Sequence, residues 1–402
     1  MNLRTITQYR NWKDKRVLVR VDFNVPIKKK RVLDDTRIRA ALFTIEYLQK
    51  KGAKIILMTH LGRPDGKVVK AFSIDPVLQH LQKITKSKIV KLETGNWKLS
   101  DAKKLKILHK IDKMKAGSIA MMENVRFIAG EEDRDMHLAE EFANMADIFV
   151  LDGFGVSHRS AVSVDGVAQF LPSYAGLLVS KEVTKLSKLI KAPRKPFTAV
   201  LGGVKMATKV PVIKKLSPKT TRVLIGGGIA NTYLHGSGYY VGSSVVDRLY
   251  IKETLAACNK KKVITPIDVV VGDMKGTHTR VVEIKTKPHR ICKRDEYILD
   301  IGPATIDLYA SYIQTSKTLL WNGAMGYFEQ RPYDNGTMAI ATKVATVSKD
   351  AAYGVIGGGE TVQAMEHIGR TADVDVVSTG GGAMLAFLAG GKLSGLEAVR
   401  KK

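Results

Sequence analysis

Cysteine is scarce, with only Cys258 and Cys292 in 402 residues. Two thiols cannot build a disulfide framework, and neither has a CxxC partner or a histidine cluster beside it, which argues against a redox scaffold and a structural zinc site. Long apolar runs are missing too. No stretch approaches the ~18 residues needed to cross a bilayer, and the opening segment MNLRTITQYRNWKDKR lacks the apolar core of a signal peptide. The expectation is a protein of the reducing cytoplasm with no membrane partner. Prolines number only 12, while hydrophobic residues make up 45% and charged residues 26%, the balance of an ordered chain. At about 150 residues per domain, the length calls for two domains or three.

Acidic residues are outnumbered, 38 against 65 Lys and Arg, for a net charge of +27. Such an excess raises the question of nucleic acid. The basic runs 28–31, 103–115, 260–262 and 285–294 are scattered along the chain, carry no interleaved aromatic platforms, and come with no zinc-finger, RRM or KH signature. They read as a solvated basic surface with no dedicated nucleic-acid role.

In the first half, apolar runs end abruptly in polar residues: 16–21 before Asp-Phe-Asn, 54–58 before Thr-His-Leu-Gly-Arg-Pro, 118–122 before Glu-Asn-Val-Arg-Phe, and 147–151 before Asp-Gly-Phe-Gly. Such runs read as buried parallel strands, and helical spacing over 36–51 and 133–145 lies between them. In the second half, the runs 198–201, 223–225, 353–356 and 374–379 end in glycine clusters, and 318–321 ends in Asn-Gly-Ala-Met-Gly. The run 267–271 is expected to join the same sheet. Strand alternating with helix predicts an α/β protein of doubly wound parallel sheets. Helical spacing over 174–190, closed by Ala-Pro-Arg-Lys-Pro, predicts a connecting helix, readable as a hinge or as a rigid connector.

Ligands of open α/β sheets bind beyond the carboxyl ends of the strands. There the first half offers Asp22, Asn24, His60, Arg63, Arg126, His158 and Arg159, with Arg37 opening the first helix. So many cation-capable groups suit a small substrate with several negative charges. The second half offers glycines before helix starts, where backbone N–H groups favour phosphate. The GxxxxGK[ST] loop is absent, because the GK pairs are followed by Val68 and Leu393, and no kinase HRD or DFG and no GxGxxG occurs. No catalytic base, Ser-His-Asp spacing or metal-ligand cluster stands out. Phosphoryl transfer across a cleft between two groups that are already anionic fits this set, since it needs positioning and neutralisation more than proton removal.

The segment 19–26, Val-Arg-Val-Asp-Phe-Asn-Val-Pro, followed by Thr36-Arg37-Ile38, resembles the N-terminal signature of the phosphoglycerate kinase family. His60-Leu61-Gly62-Arg63-Pro64, the run 123–127, Asp152-Gly153-Phe154-Gly155 and His158-Arg159 are similar to its substrate-loop motifs. The runs 201–205, 225–230, 300–303, 321–329, 357–359 and 378–382 resemble its nucleotide motifs in order, so that the resemblance covers almost the whole chain. It implies two Rossmann-like doubly wound domains that transfer phosphate between 1,3-bisphosphoglycerate and ADP, giving 3-phosphoglycerate and ATP, with Mg²⁺, in a monomer. By position, Asp22, Asn24, Arg37, His60, Arg63, Arg126 and Arg159 would hold the phosphoglycerate, with His158 supporting them. Lys205 and Lys209 would contact nucleotide phosphates and the transferring group, and Arg37 and Lys205 would stabilise the transition state. Asn322, Glu329 and Thr361 would sit near the nucleotide, Gly202, Gly226 and Gly227 would flank adenine, and Gly358, Gly359 and Gly381 would present N–H groups to phosphate.

The implied organisation is a phosphoglycerate-binding domain over 1–173, a connecting helix over 174–190, a nucleotide-binding domain over 191–390, and a tail over 391–402 that returns to the first domain. Four positions depart from the common family pattern. Glu360 stands where Asp would hold Mg²⁺, Thr208 replaces Asp before Lys209, Ala324 replaces Pro, and Gly153 replaces Ala. The residues alone leave open a non-catalytic phosphate- or nucleic-acid-binding protein of the same fold, and a kinase for a different small acid.

Overall fold

The computed structural model describes residues 1–258, 261–285 and 290–401. Lys260 and positions 286–289 of the two later basic runs, and the last residue of the tail, lie outside the described residues. The chain divides into two compact units. One comprises Met1–Thr184 with Lys392–Lys402, the other Lys185–Gly391.

In the first unit, six parallel strands lie in the order Ile89–Lys91, Ile119–Met121, Lys54–Met58, Arg16–Arg20, Ile148–Leu151, Ser173–Ala175. Their apolar runs are continuous because both faces of the sheet are covered, so every side chain of Ile148–Leu151 and all but the first of Arg16–Arg20 and Lys54–Met58 are buried. Direction reverses at Arg16–Arg20, which pairs with the second strand on one side and the fifth on the other. That reversal opens a crevice beyond the strand ends. The C-terminal segment belongs to this unit, with Arg4 N donating to Val399 O and Gly395 N to Ser157 O.

Two expectations change here. Residues 174 and 175 are not helical: Ser173–Ala175 is the sixth strand, with Tyr174 beside Val150, and the helix spans Leu177–Lys191. Gly176 breaks the chain between them, and the buried Asp152 Oδ1 accepts from Leu178 N (3.0 Å) and Val179 N (3.4 Å), which fixes the helix start. The helix expected over 133–145 is shorter, Met136–Ala143, because Asp135 caps it by accepting from His137 N and Leu138 N.

The second unit holds six parallel strands in the order Val263–Ile264, Arg222–Ile225, Phe197–Leu201, Thr318–Asn322, Tyr353–Gly357, Val376–Ser378. In chain order this is 3-2-1-4-5-6, with its switch point between Phe197–Leu201 and Thr318–Asn322. The run 267–271 does not join this sheet. Asp268–Gly272 pairs antiparallel with Thr279–Glu283 and Tyr297–Ile301 in a separate three-stranded sheet. A tight turn folds the chain back at once, since Asp273 accepts from the backbone N–H groups of Lys275, Thr277 and His278. Among the described residues no helix is long and apolar enough to cross a membrane. Both cysteines are buried, and neither is in a disulfide.

Candidate functional site

The first unit gathers its cations at the crevice. Asp22 and Asn24 follow the strand Arg16–Arg20, and Arg37 lies in the first turn of the helix Thr36–Lys50. Arg37 Nη1 is 3.0 Å from Asp22 Oδ2 and donates to Asn24 O at 3.2 Å. Asn24 Oδ1 accepts from Gly62 N at 3.0 Å, and Arg126 Nη1 donates to Gly62 O at 2.8 Å. Glu132 lies 2.7 Å from Arg126 Nη2 and 3.6 Å from Arg159 Nη1. A single network therefore links the loops after four strands and orients Asn24, Arg37, Arg126 and Arg159.

Arg126 is buried, and burial lowers its pKa, with Glu132 opposing. Arg63 is exposed and adds its charge to that of Arg126. His158 is exposed beside Arg159, and partial loss of hydration together with that cation holds its pKa below the usual value. His60 is buried, and desolvation together with Arg20, Arg126, Arg159 and Arg37 drives its pKa well below 6.5. It is neutral at physiological pH, which corrects its count among the cations. Sequence reasoning missed Arg20, whose Nη2 lies 3.2 Å from His60 Nδ1, and Glu131 and Glu132. Arg20 is a strand residue inside an apolar run, and its place in the segment 19–26 was its one further signal.

In the second unit the switch point is sealed by backbone. Gly202 N donates to Asn322 O (3.0 Å), Gly203 N to Ala324 O (2.9 Å) and Gly227 N to Met325 O (2.8 Å). A Cβ on Gly202 would collide with Ala324 O, so only glycine lets these loops meet. They border a cavity of about 380 Å³, lined by apolar groups such as Val245, Met274, Leu299 and Phe328 and by the acids Asp300, Glu329 and Glu360. Gly227 also lines it, and Gly226 precedes the helix Gly227–Gly236.

Behind the Gly323-Ala324 turn, Lys209 Nζ donates to Asn322 O at 3.0 Å and also to Asn322 Oδ1. Burial pushes the Lys209 ammonium down to about 8, against the pull of Glu360. Thr361 Oγ1 accepts from Gly323 N (2.7 Å), and Glu360 Oε2 accepts from Ala324 N (3.3 Å). Glu360 and Thr361 occupy the first turn of the helix Gly359–His367, capped by Gly358 at φ +96°. Gly381 opens the helix Gly381–Leu388, and a Cβ built on it would lie 3.8 Å from Gly358 Cα. Lys205 is the exposed N-cap of the helix Met206–Leu216. Four helix N-termini thus follow the glycine-bearing strand ends.

Among the described residues no group of three or more His, Cys, Asp or Glu could cage a metal ion. Glu360, one of the few carboxylates on the wall of this cavity, fits Mg²⁺ carried on phosphates, because this ion is commonly held by one or two carboxylates, substrate oxygens and water.

The family model for phosphoglycerate kinase matches residues 6–391. The phosphoglycerate kinase of Chloroflexus aggregans is 40% identical over 100% of this chain and 99% of its own length, and that of Herpetosiphon aurantiacus is 41% identical over 100% of both. The phosphoglycerate kinase structure from Coxiella burnetii aligns with a TM-score of 0.81 at 33% identity, and the one from Pyrococcus horikoshii with 0.82 at 27%, each covering 99% of this chain and 98% of the other. Sequence, fold and site geometry lead to one conclusion: the chain belongs to the phosphoglycerate kinase family.

Proposed function

We propose that the first unit binds phosphoglycerate through Asp22, Asn24, Arg37, His60, Arg63, Arg126, His158 and Arg159, and that the second binds ADP or ATP at the cavity beside Glu329 and Glu360. As a family member the chain is a phosphotransferase with a carboxyl acceptor, and it catalyses the reversible conversion of 1,3-bisphosphoglycerate and ADP to 3-phosphoglycerate and ATP. An oxygen of the ADP β-phosphate forms the new bond to phosphorus while the acyl phosphate bond breaks and the carboxylate leaves. No proton need move, which is why positioned charge suffices.

The observation that carries the assignment of roles is the convergence of Lys209, Asn322, Glu360 and Thr361 on one glycine turn at the switch point. In this reading Asp22 aims Arg37 at the anion. Lys209, Asn322 and Thr361 support the phosphates together with the N–H groups of Gly358, Gly359 and Gly381. Gly202, Gly226 and Gly227 flank the base. Mg²⁺, held by Glu360 and the nucleotide, would supply neutralisation of the phosphate oxygens. Arg37 from the first unit and Lys205 from the second stabilise the charge of the transferring group. The domain reading keeps 1–173 and 191–390 as the two binding domains, 174–190 as the connector, which is helical from Leu177 on, and 391–402 as the returning tail. A cytoplasmic location and a monomeric state belong to the same proposal and rest on the family alone.

The test is Mg²⁺-dependent ADP formation from ATP and 3-phosphoglycerate, with the Arg37→Ala protein purified in parallel. Turnover confined to the unmutated enzyme supports the assignment. No turnover with any divalent metal or nucleotide would leave a binding protein of this fold.

A further inference from the structure

His60 is buried among the first unit's cations, and one neighbour bears on which of its ring nitrogens carries the proton. Arg20 ends the strand Arg16–Arg20, is 2% exposed, and anchors itself by donating from Nη1 to Val21 O at 2.7 Å. Its Nη2 then lies 3.2 Å from His60 Nδ1. A guanidinium has five N–H donors and no acceptor, and it does not deprotonate in this pH range. The contact therefore exists only while Nδ1 keeps its lone pair, which places the single imidazole proton on Nε2. A second proton would set N–H against N–H.

We propose that Arg20 is a positioning residue that locks His60 as the neutral Nε2–H tautomer, so that His60 meets an anionic substrate as a hydrogen-bond donor and not as a cation. The surrounding charges act in the same direction. Arg37 acts on the ring from the helix Thr36–Lys50, Arg126 from the turn Val125–Phe127 and Arg159 from the segment after the turn Phe154–Val156, all opposing a further positive charge. The acids nearby are engaged elsewhere: Asp22 with Arg37, Glu132 with Arg126 and Arg159, and Glu131 with Ser163. Arg20 Nε has no hydrogen-bond partner, so this side chain is held by its two terminal nitrogens, one of them on His60. The inference rests on the substrate-site reading only for the identity of the anion.

The decisive experiment is ¹⁵N NMR of the imidazoles in the full-length enzyme, with the His60 signals assigned by their loss in His60→Gln. The expected result is a protonated Nε2, an unprotonated Nδ1 and no titration between about pH 5 and 8. Arg20→Met should give a neutral ring of mixed tautomers, because burial and Arg37, Arg126 and Arg159 still oppose a second proton, and Arg20→Lys, which restores a donor, should recover part of the original signature. In Arg20→Met the KM for 3-phosphoglycerate should rise, and in Arg20→Lys it should recover in step with the tautomer. A purely structural role would move KM and leave the tautomer unchanged. Protonated Nδ1, or titration of His60 in the unmutated enzyme, overturns the proposal even if Arg20→Met does not fold. An unchanged KM in His60→Gln would instead remove His60 from the substrate site and leave the tautomer result standing.

Discussion

Lys209 Nζ donates twice to Asn322, to its backbone oxygen at 3.0 Å and to its side-chain oxygen, in a pocket where the ammonium is pushed down to about 8. The pair holds the cation at the switch point in the nucleotide-free protein. A phosphate needs Lys209 charged, so the KM for ATP is expected to rise as pH climbs above about 8, where the free enzyme loses that proton. Lys209→Ala should abolish the rise and lower kcat by ~10²-fold, the scale of losing one preorganised donor. KM for ATP measured from neutral pH to mildly alkaline pH in both proteins checks this.

Arg37 is aimed by Asp22, and the two should not respond alike to mutation. Arg37→Ala removes the proposed substrate contact and leaves the buried Asp22 carboxylate without its 3.0 Å partner, so kcat is expected to fall by ~10² to 10³. Asp22→Asn keeps an acceptor for Arg37 and removes the negative charge from the crevice. Its main effect is expected on KM for 3-phosphoglycerate, with kcat changed less than in Arg37→Ala. Steady-state kinetics with 3-phosphoglycerate as the varied substrate separates the two patterns.

Glu360 is one methylene longer than the aspartate common at its position, and its Oε2 already accepts from Ala324 N at 3.3 Å. Glu360→Gln keeps that contact and removes the charge. The Mg²⁺ concentration for half-maximal activity is therefore expected to rise while thermal stability stays put. Glu360→Asp should retain metal dependence closer to that of the unmutated enzyme. Titration of activity with Mg²⁺ at saturating ATP decides it.

The parallel strands were legible because a sheet covered on both faces needs unbroken apolar runs, and Lys54–Met58 and Ile148–Leu151 are such runs. The three-residue strands Ile89–Lys91 and Ser173–Ala175 were not legible, since they are too short to show a period and are defined by their neighbours Ile119–Met121 and Ile148–Leu151. The run 267–271 misled because apolar content does not distinguish one sheet from another; the turn anchored by Asp273 does. At the site, strand ends named Asp22, Asn24, His60 and Arg126, while Arg20 and Glu132 stayed hidden because their roles depend on partners 40 and six residues away.

Asp152 bears on stability through its proton. Burial pushes its carboxyl up to about 8 from 3.8. Between those values the native state binds the proton that the unfolded state has lost, so the stabilisation present below pH 3.8 disappears as pH rises towards 8. Asp152→Asn cannot ionise and keeps an oxygen for Leu178 N and Val179 N. Its Tm is expected to exceed that of the unmutated protein by an increasing margin from pH 5 to about pH 8. Thermal melts across that range test the sign, and a margin that shrinks with pH would show that the native carboxyl is ionised.

Two glycines of the proposed nucleotide site should behave in opposite ways when given a methyl group. At Gly202 a Cβ would run into Ala324 O and approach Met325 Cε to 2.6 Å. Gly202→Ala must therefore push apart the two loops at the switch point and is expected to lower stability and activity together. At Gly359, by contrast, a Cβ would meet nothing within 4 Å, and the position is the first of the helix Gly359–His367. Alanine there is a better helix former by up to ~1 kcal/mol, so Gly359→Ala should leave Tm unchanged or raise it. If a nucleotide phosphate sits on the N–H groups of that helix end, the same methyl group stands in its way, and KM for ATP should rise severalfold in a protein that is no less stable. An unchanged KM would remove Gly359 from the phosphate site, since no folding defect could mask the result.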